Sequence, residues 1–189
     1  GSSDWSSDVC SSDLSFNIRP GDNPVEMELP MGKEFLTWDA FSPALYKLTA
    51  KLTNGKQTDT QQVQFGMRDF KIEGKWFYVN GRKTMLRGTV ENCDFPLTGY
   101  APMDVASWER VFRICRNYGL NHMRFHSFCP PEAAFIAADL VGFYLQPEGP
   151  SWPNHGPRLG NGQPIDKYLM DETIALTKEY GNYASYCML

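Results

Sequence analysis

Three times between Thr84 and Gly181 a short apolar strand pattern gives way to a helical one, and each helical pattern stops at a glycine. The strands read Thr84-Met85-Leu86-Arg87-Gly88, His122 to His126 and Phe143 to Gln146. Asp104 is placed to cap a helix whose stripe is Val105, Trp108, Phe112 and Cys115, and Gly119 ends it. Pro131 opens a second helix that buries Ala134, Phe135, Ala138 and Leu140 or Val141 before Gly142, and a third runs from Ile165 to Tyr180. Short returns after each helix make a right-handed parallel βαβαβα unit the expected arrangement. A doubly wound sheet would carry a glycine-rich phosphate loop after its first strand, and none follows Arg87. The alternative is a (β/α)8 barrel, which needs about 250 residues, so only its first third fits here.

The preceding residues read as β structure. Residues 45 to 52 alternate before Asn54-Gly55, which predicts a type I′ hairpin with Thr58 to Phe65 as its return. Lys75 to Val79, Asn80-Gly81 and Thr84 to Gly88 repeat that pattern. The fold class expected is therefore α/β plus all-β, with residues 15–68 as the C-terminal part of a β-sandwich and 69–189 as the start of a barrel. Residues 1–14 stand apart. Ser2-Ser3-Asp4, Ser6-Ser7-Asp8 and Ser11-Ser12-Asp13-Leu14 are near copies without structural period, and read back as codons the last resembles a high-throughput sequencing adapter. They are expected to be an artefactual or disordered leader.

Charge narrows the function. A net charge of -4 without basic runs gives no footprint for nucleic acid or an anionic membrane. No apolar run approaches membrane-spanning length. Outside the leader's Cys10, the cysteines are Cys93, Cys115, Cys129 and Cys187, whose spacings match no zinc or CxxC pattern. Cys115 reads as a small buried hydrophobe, and Cys93 and Cys129 as free thiols beyond strand ends. A thiol or metal enzyme using Cys93, Cys129 and His126 is the competing reading of that group.

In α/β folds ligands sit at the carboxyl ends of strands, so Arg124, His126, Glu148 and Trp152 are expected to share one mouth. Arg124 either orients a sugar or a catalytic carboxylate, or forms a structural ion pair with Glu148. His126 either bonds a sugar hydroxyl or is a satisfied core histidine. Trp152 offers a face on which a pyranose stacks. Asn92 and Asp94 either bind sugar hydroxyls from the first strand-end loop or merely cap it, and Glu91 is a candidate partner for Arg87. Trp76 and Trp108 are expected in core or interface packing.

These residues, taken in order, resemble glycoside hydrolase family 2, which holds β-galactosidases, β-glucuronidases and β-mannosidases. The resemblance rests on Phe65-Gly66-Met67-Arg68, Phe77 to Gly81, Leu86-Arg87-Gly88, Pro96-Leu97 with Gly99, Asn121 with Arg124 and His126, and Asp139, Gly142 and Glu148. It implies an immunoglobulin-like β-sandwich passing into a TIM barrel, and a retaining exo-β-glycosidase acting on an oligosaccharide or β-glycoside. Such enzymes use two glutamates ~5 Å apart across the scissile bond. In the family the first of these ends the fourth barrel strand within Gly-Asn-Glu. Here Tyr180 to Leu189 resembles the approach to that strand, so the resemblance implies that neither catalytic residue lies in this chain, that the chain alone is inactive, and that Glu148 has a supporting role. It implies no organic cofactor, and some relatives bind magnesium near the site. Two loops depart from the β-galactosidase pattern: Glu91-Asn92-Cys93-Asp94-Phe95 replaces a histidine-rich turn, and the segment after Arg124 is one residue longer. The alternative reading is a non-catalytic carbohydrate-binding or structural module.

Overall fold

The computed structural model describes residues 11–152 and 158–189. Their contacts separate into two units, divided between Leu36 and Thr37. In the first, residues 11–36 form no helix or strand. Its local order is a turn around Asn23, whose Oδ1 accepts the Arg19 N–H at 2.9 Å while Nδ2 donates to the carbonyls of Arg19 and Gly21 at 2.8 and 2.7 Å. The expectation of β structure from residue 15 is thus corrected. Pro20, Pro24 and Pro30 remove ladder donors along this segment. Residues 1–10 of the leader lie outside the described residues.

In the second unit, β1 (Tyr46–Asn54) and β2 (Gln57–Phe65) pair antiparallel from Tyr46↔Phe65 to Asn54↔Gln57. That register puts Tyr46, Leu48, Val63 and Phe65 on one face, with the Tyr46 and Phe65 rings stacked at 5.7 Å. The turn falls on Gly55-Lys56, and of these only Gly55 has positive φ, at 55°. The expected type I′ turn at Asn54-Gly55 is therefore absent, because the cross-strand register holds Asn54 inside the ladder. At Asn80-Gly81 the same signal holds, with φ of 51° and 74°. This turn joins β4 (Trp76–Val79) to β5 (Arg82–Thr84), and β3 (Phe70–Glu73) completes a three-stranded antiparallel sheet. Trp76 is 37% exposed here, with Lys83 Nζ 3.2 Å from its ring centre, so it rests under a cation instead of in the core.

The return strand ends at Thr84, earlier than its sequence pattern suggests. Asn121 takes over the next residues: its Oδ1 accepts the Arg87 N–H at 2.7 Å and its Nδ2 donates to the Met85 carbonyl at 3.1 Å. Gly88–Glu91 then forms a separate strand, β6, in a parallel sheet of order β6-β7-β8 with β7 (His122–Phe125) and β8 (Tyr144–Gln146). Helices α1 (Val105–Asn117) and α2 (Glu132–Val141) make the two connections, and α3 (Pro164–Tyr180) follows β8. Asp104 caps α1 by accepting the Ser107 N–H at 2.8 Å, and Trp108 and Phe112 on its inner face are fully buried. Cys115 is half-buried at the edge of that core. Phe112 stacks on Phe143 at 5.0 Å and Trp108 meets Phe125 edge-on at 5.9 Å. Beyond β8 the chain starts another parallel neighbour, with Leu145 N–H donating to the Ser185 carbonyl at 2.8 Å and Cys187 N–H to the Leu145 carbonyl at 3.1 Å. No helix among the described residues is long and apolar enough to cross a membrane.

The segment from Thr37 to Leu45 is threaded into this layer. Trp38 is wholly buried, donates its indole N–H to the Asp139 carbonyl at 2.9 Å and meets Tyr144 edge-on at 5.6 Å. Arg116 Nη1 gathers the carbonyls of Ala40, Val141 and Gly142 at 2.5, 2.8 and 2.9 Å, which satisfies the C-terminal end of α2. Gly66 leaves the room that Trp38 fills: a Cβ there would lie 2.8 Å from Ala184 Cβ and 2.9 Å from Trp38 Cβ. Gly66→Ala is therefore expected to lower stability by about 1–3 kcal/mol. Thermal melting checks this, and an unchanged midpoint would show that the core yields there.

Candidate functional site

Parallel pairing aims β7 and β8 the same way, and period-two alternation sorts their side chains. Met123, Phe125 and Leu145 face the helices and are buried. His122 and Arg124 take the opposite face, where Arg124 is registered with Gln146. Two residues past β7, Ser127 adopts a left-handed conformation with φ of 62°. Two residues past β8, Glu148 meets both: Arg124 Nε donates to its Oε1 and the Ser127 N–H to its Oε2 at 2.8 Å. The Ser127 hydroxyl reaches on to the Ser151 carbonyl at 3.2 Å, next to Trp152. Trp152 is 53% exposed and stands edge-on to His126, with ring centres 5.5 Å apart.

Arg124, His126, Ser127, Glu148, Gly149, Ser151 and Trp152 line a cleft of about 390 Å³. The structure thus brings together Arg124, His126, Glu148 and Trp152. Asn92 and Asp94 lie exposed on the loop after β6, outside the cleft lining. Glu91 accepts the N–H groups of Cys93 and Asp94 at 3.0 and 3.4 Å, while Arg87 Nε donates to the Gly119 carbonyl at 2.6 Å, so the suggested Arg87–Glu91 pair does not form. Ser127 and Ser151 gave no local signal in the sequence. His122 had one, being two residues before Arg124. It is buried and packs against Gly88, where a Cβ would lie 2.5 Å from its Nδ1. Burial holds the His122 imidazole below its ordinary pKa, with a smaller opposing effect from a Gln146 hydrogen bond.

Electrostatics decide what Glu148 can do. Its burial pushes its pKa up, but the Arg124 hydrogen bond, the Ser127 N–H and the Arg124 charge together outweigh that and hold the carboxyl below its usual range. A carboxylate bound at both oxygens and kept ionised is a poor proton donor. Cys129 is unsuited to nucleophilic work for a related reason: burial first, then the charge of Glu172, push its thiol up to about 12. Cys93, Cys115, Cys129 and Cys187 are free thiols, and no group of three His, Cys, Asp or Glu side chains among the described residues is arranged to hold a metal ion. The other residues of the sequence motif build the frame. Asn121 ties the start of β7 to the approach to β6, and buried Asp139 accepts the N–H groups of Ser185 and Ala184 at 2.7 and 3.2 Å.

Comparison with known proteins finds similar sequences and a shared fold. The model of the family described as "Glycosyl hydrolases family 2" matches residues 6–68. A β-galactosidase of Thermoanaerobacter pseudethanolicus is 29% identical over 170 residues, covering 88% of this chain and 22% of that protein. A putative β-glucuronidase of Formosa agariphila is 32% identical over 127 residues, covering 66% of this chain and 15% of that protein. The crystal structure of a Parabacteroides merdae β-glucuronidase shares the fold, with a TM-score of 0.65, 24% identity and coverage of 82% of this chain and 18% of that one. The chain spans about a fifth of the length of the curated relatives it matches.

Proposed function

We propose that the chain is part of a glycosyl hydrolase of family 2 and forms the binding wall of a retaining exo-β-glycosidase whose catalytic glutamates lie outside these residues; the match of the family model to residues 6–68 and the similarity to a β-galactosidase support this. In this reading the hairpin of β1 and β2 belongs to the C-terminal part of an immunoglobulin-like β-sandwich, and residues 69–189 hold the first three βα units of a (β/α)8 barrel. The parallel order β6-β7-β8, extended at Tyr186, supports the barrel.

The observation that carries the role is the fixed state of Glu148. A retaining mechanism needs two carboxyls ~5 Å apart, one protonated to donate to the leaving oxygen and one free to attack. The described cleft lining contains one carboxylate, tied to Arg124 and to the Ser127 N–H. Such a group is a poor proton donor, and the second carboxyl that the retaining chemistry needs is not among the described lining residues, which supports a role for Glu148 in orienting a sugar and its neighbours. His126 offers a hydrogen bond to a hydroxyl, and the exposed Trp152 offers an apolar face to a pyranose. The substrate class is a β-glycoside, including an oligosaccharide end. The loop bearing Asn92 and Asp94 borders the same strand ends, since the His126 N–H donates to the Glu91 carbonyl at 2.8 Å.

The test is hydrolysis of aryl β-galactosides and β-glucuronides. The chain alone should give no turnover above an empty-vector control, and the full-length enzyme should cleave at least one of the two. Turnover by the chain alone would place catalytic groups inside it and overturn this reading.

A further inference from the structure

Two strand ends in this layer use the same uncommon device. Two residues beyond β6 the non-glycine residue Cys93 is left-handed, with φ of 57°, and its N–H donates to the carboxylate of Glu91 at 3.0 Å. Two residues beyond β7 Ser127 repeats it, with φ of 62° and its N–H on Glu148. A left-handed backbone is disfavoured for residues bearing a Cβ, and here it recurs where a backbone N–H must turn back towards a strand-end carboxylate. Asn80, the third such residue among those described, is explained by its hairpin turn.

Ser127 does more than Cys93, because its hydroxyl also bonds the Ser151 carbonyl, one residue before Trp152. One residue therefore grips the Glu148 carboxylate with its backbone and the Trp152 segment with its side chain. We infer that Ser127 is a positioning residue that fixes the Trp152 ring relative to the Glu148 carboxylate, and so sets where a sugar ring lies in the cleft. The sugar in that statement rests on the glycosidase reading; the coupling of Ser127 to Trp152 does not. Glycine would keep the left-handed backbone and the N–H to Glu148 but would lose the hydroxyl.

The experiment uses Ser127→Gly in the whole chain at micromolar concentration without sugar. The contribution of Trp152 is isolated by subtracting a Trp152→Phe partner in each background. The expected result is greater acrylamide quenching of Trp152 and loss of the near-ultraviolet circular dichroism of its edge-on contact with His126. A merely structural role predicts otherwise, since removing a Cβ from a positive-φ site leaves stability unchanged or raised and the Trp152 spectra as they were. Unaltered Trp152 quenching and dichroism in Ser127→Gly overturn the proposal. Since no sugar is present, failure of the glycosidase reading leaves this outcome unaffected.

Discussion

Replacing Trp38 by alanine is expected to destabilise the chain by about 3–5 kcal/mol, the range for deleting a fully buried large aromatic residue. Two losses combine there. The indole leaves a void against Tyr144, Ala184 and Leu45, and the Asp139 carbonyl loses its donor inside a dry core. For a chain of this length the midpoint of melting should fall by on the order of 10 °C. Trp38→Phe separates the two, because it keeps most of the ring packing and removes only the donor. Its loss should be the smaller, and equal losses would show that the hydrogen bond, not the packing, dominates. Calorimetry on the three proteins decides between these outcomes, and a Trp38→Ala midpoint within a degree or two of the unaltered chain would contradict the burial argument.

Asp139 should give the chain a stability that falls as pH rises, opposite to the usual behaviour of a carboxylate. Burial is the main cause and lifts its pKa from 3.8 to about 6, against the lowering effects of the Ser185 and Ala184 hydrogen bonds and the charge of Arg68. A raised folded-state pKa means the folded chain binds more protons than the unfolded chain between those values. The stabilisation is complete below pH 3.8 and is lost as pH climbs through about 6. Roughly two units correspond to ~3 kcal/mol. Glu148 works in the other direction, since its lowered pKa gives stability that is lost on acidification. The raw pH curve therefore mixes both. Subtracting the curve of Asp139→Asn removes everything except position 139, and that difference should decline by roughly 2.4 kcal/mol between pH 4 and pH 7, most of the full value. A flat difference would mean that the hydrogen bonds from Ser185 and Ala184 compensate the ionised form in full.

What could be read from the sequence was what depends on near neighbours. Asp104 caps α1, Gly142 ends α2 and Asn80-Gly81 turns β4 into β5, each through contacts within a few residues. The mouth was legible because ligands gather at the carboxyl ends of parallel strands, and the sequence puts Arg124, Glu148 and their neighbours there. Features set by distant partners were hidden. Met85 to Arg87 look like strand, yet Asn121, 34 residues from Arg87, claims their backbone. Asn54-Gly55 looks like a type I′ turn, yet the ladder as far as Tyr46↔Phe65 shifts it by one residue. Trp76 looks apolar and patterned, yet two lysines make its place at the surface tolerable. Ser127 has no local mark because serine rarely takes positive φ, and what holds it there is a carboxylate 21 residues later.

The insertion of Trp38 among Asp139, Tyr144 and Ala184 also bears on how such chains can exchange parts. A crossover between relatives placed near residue 68, between the β1–β2 hairpin and the β3-β4-β5 sheet, would take Trp38 and Gly66 from one parent and their packing partners from the other. The indole and the space it fills would then come from separate lineages and would have to match by chance. A crossover between Leu36 and Thr37 keeps them together, so chimeras joined there should inherit an intact core while those joined at 68 should need compensating changes at 139, 144 or 184.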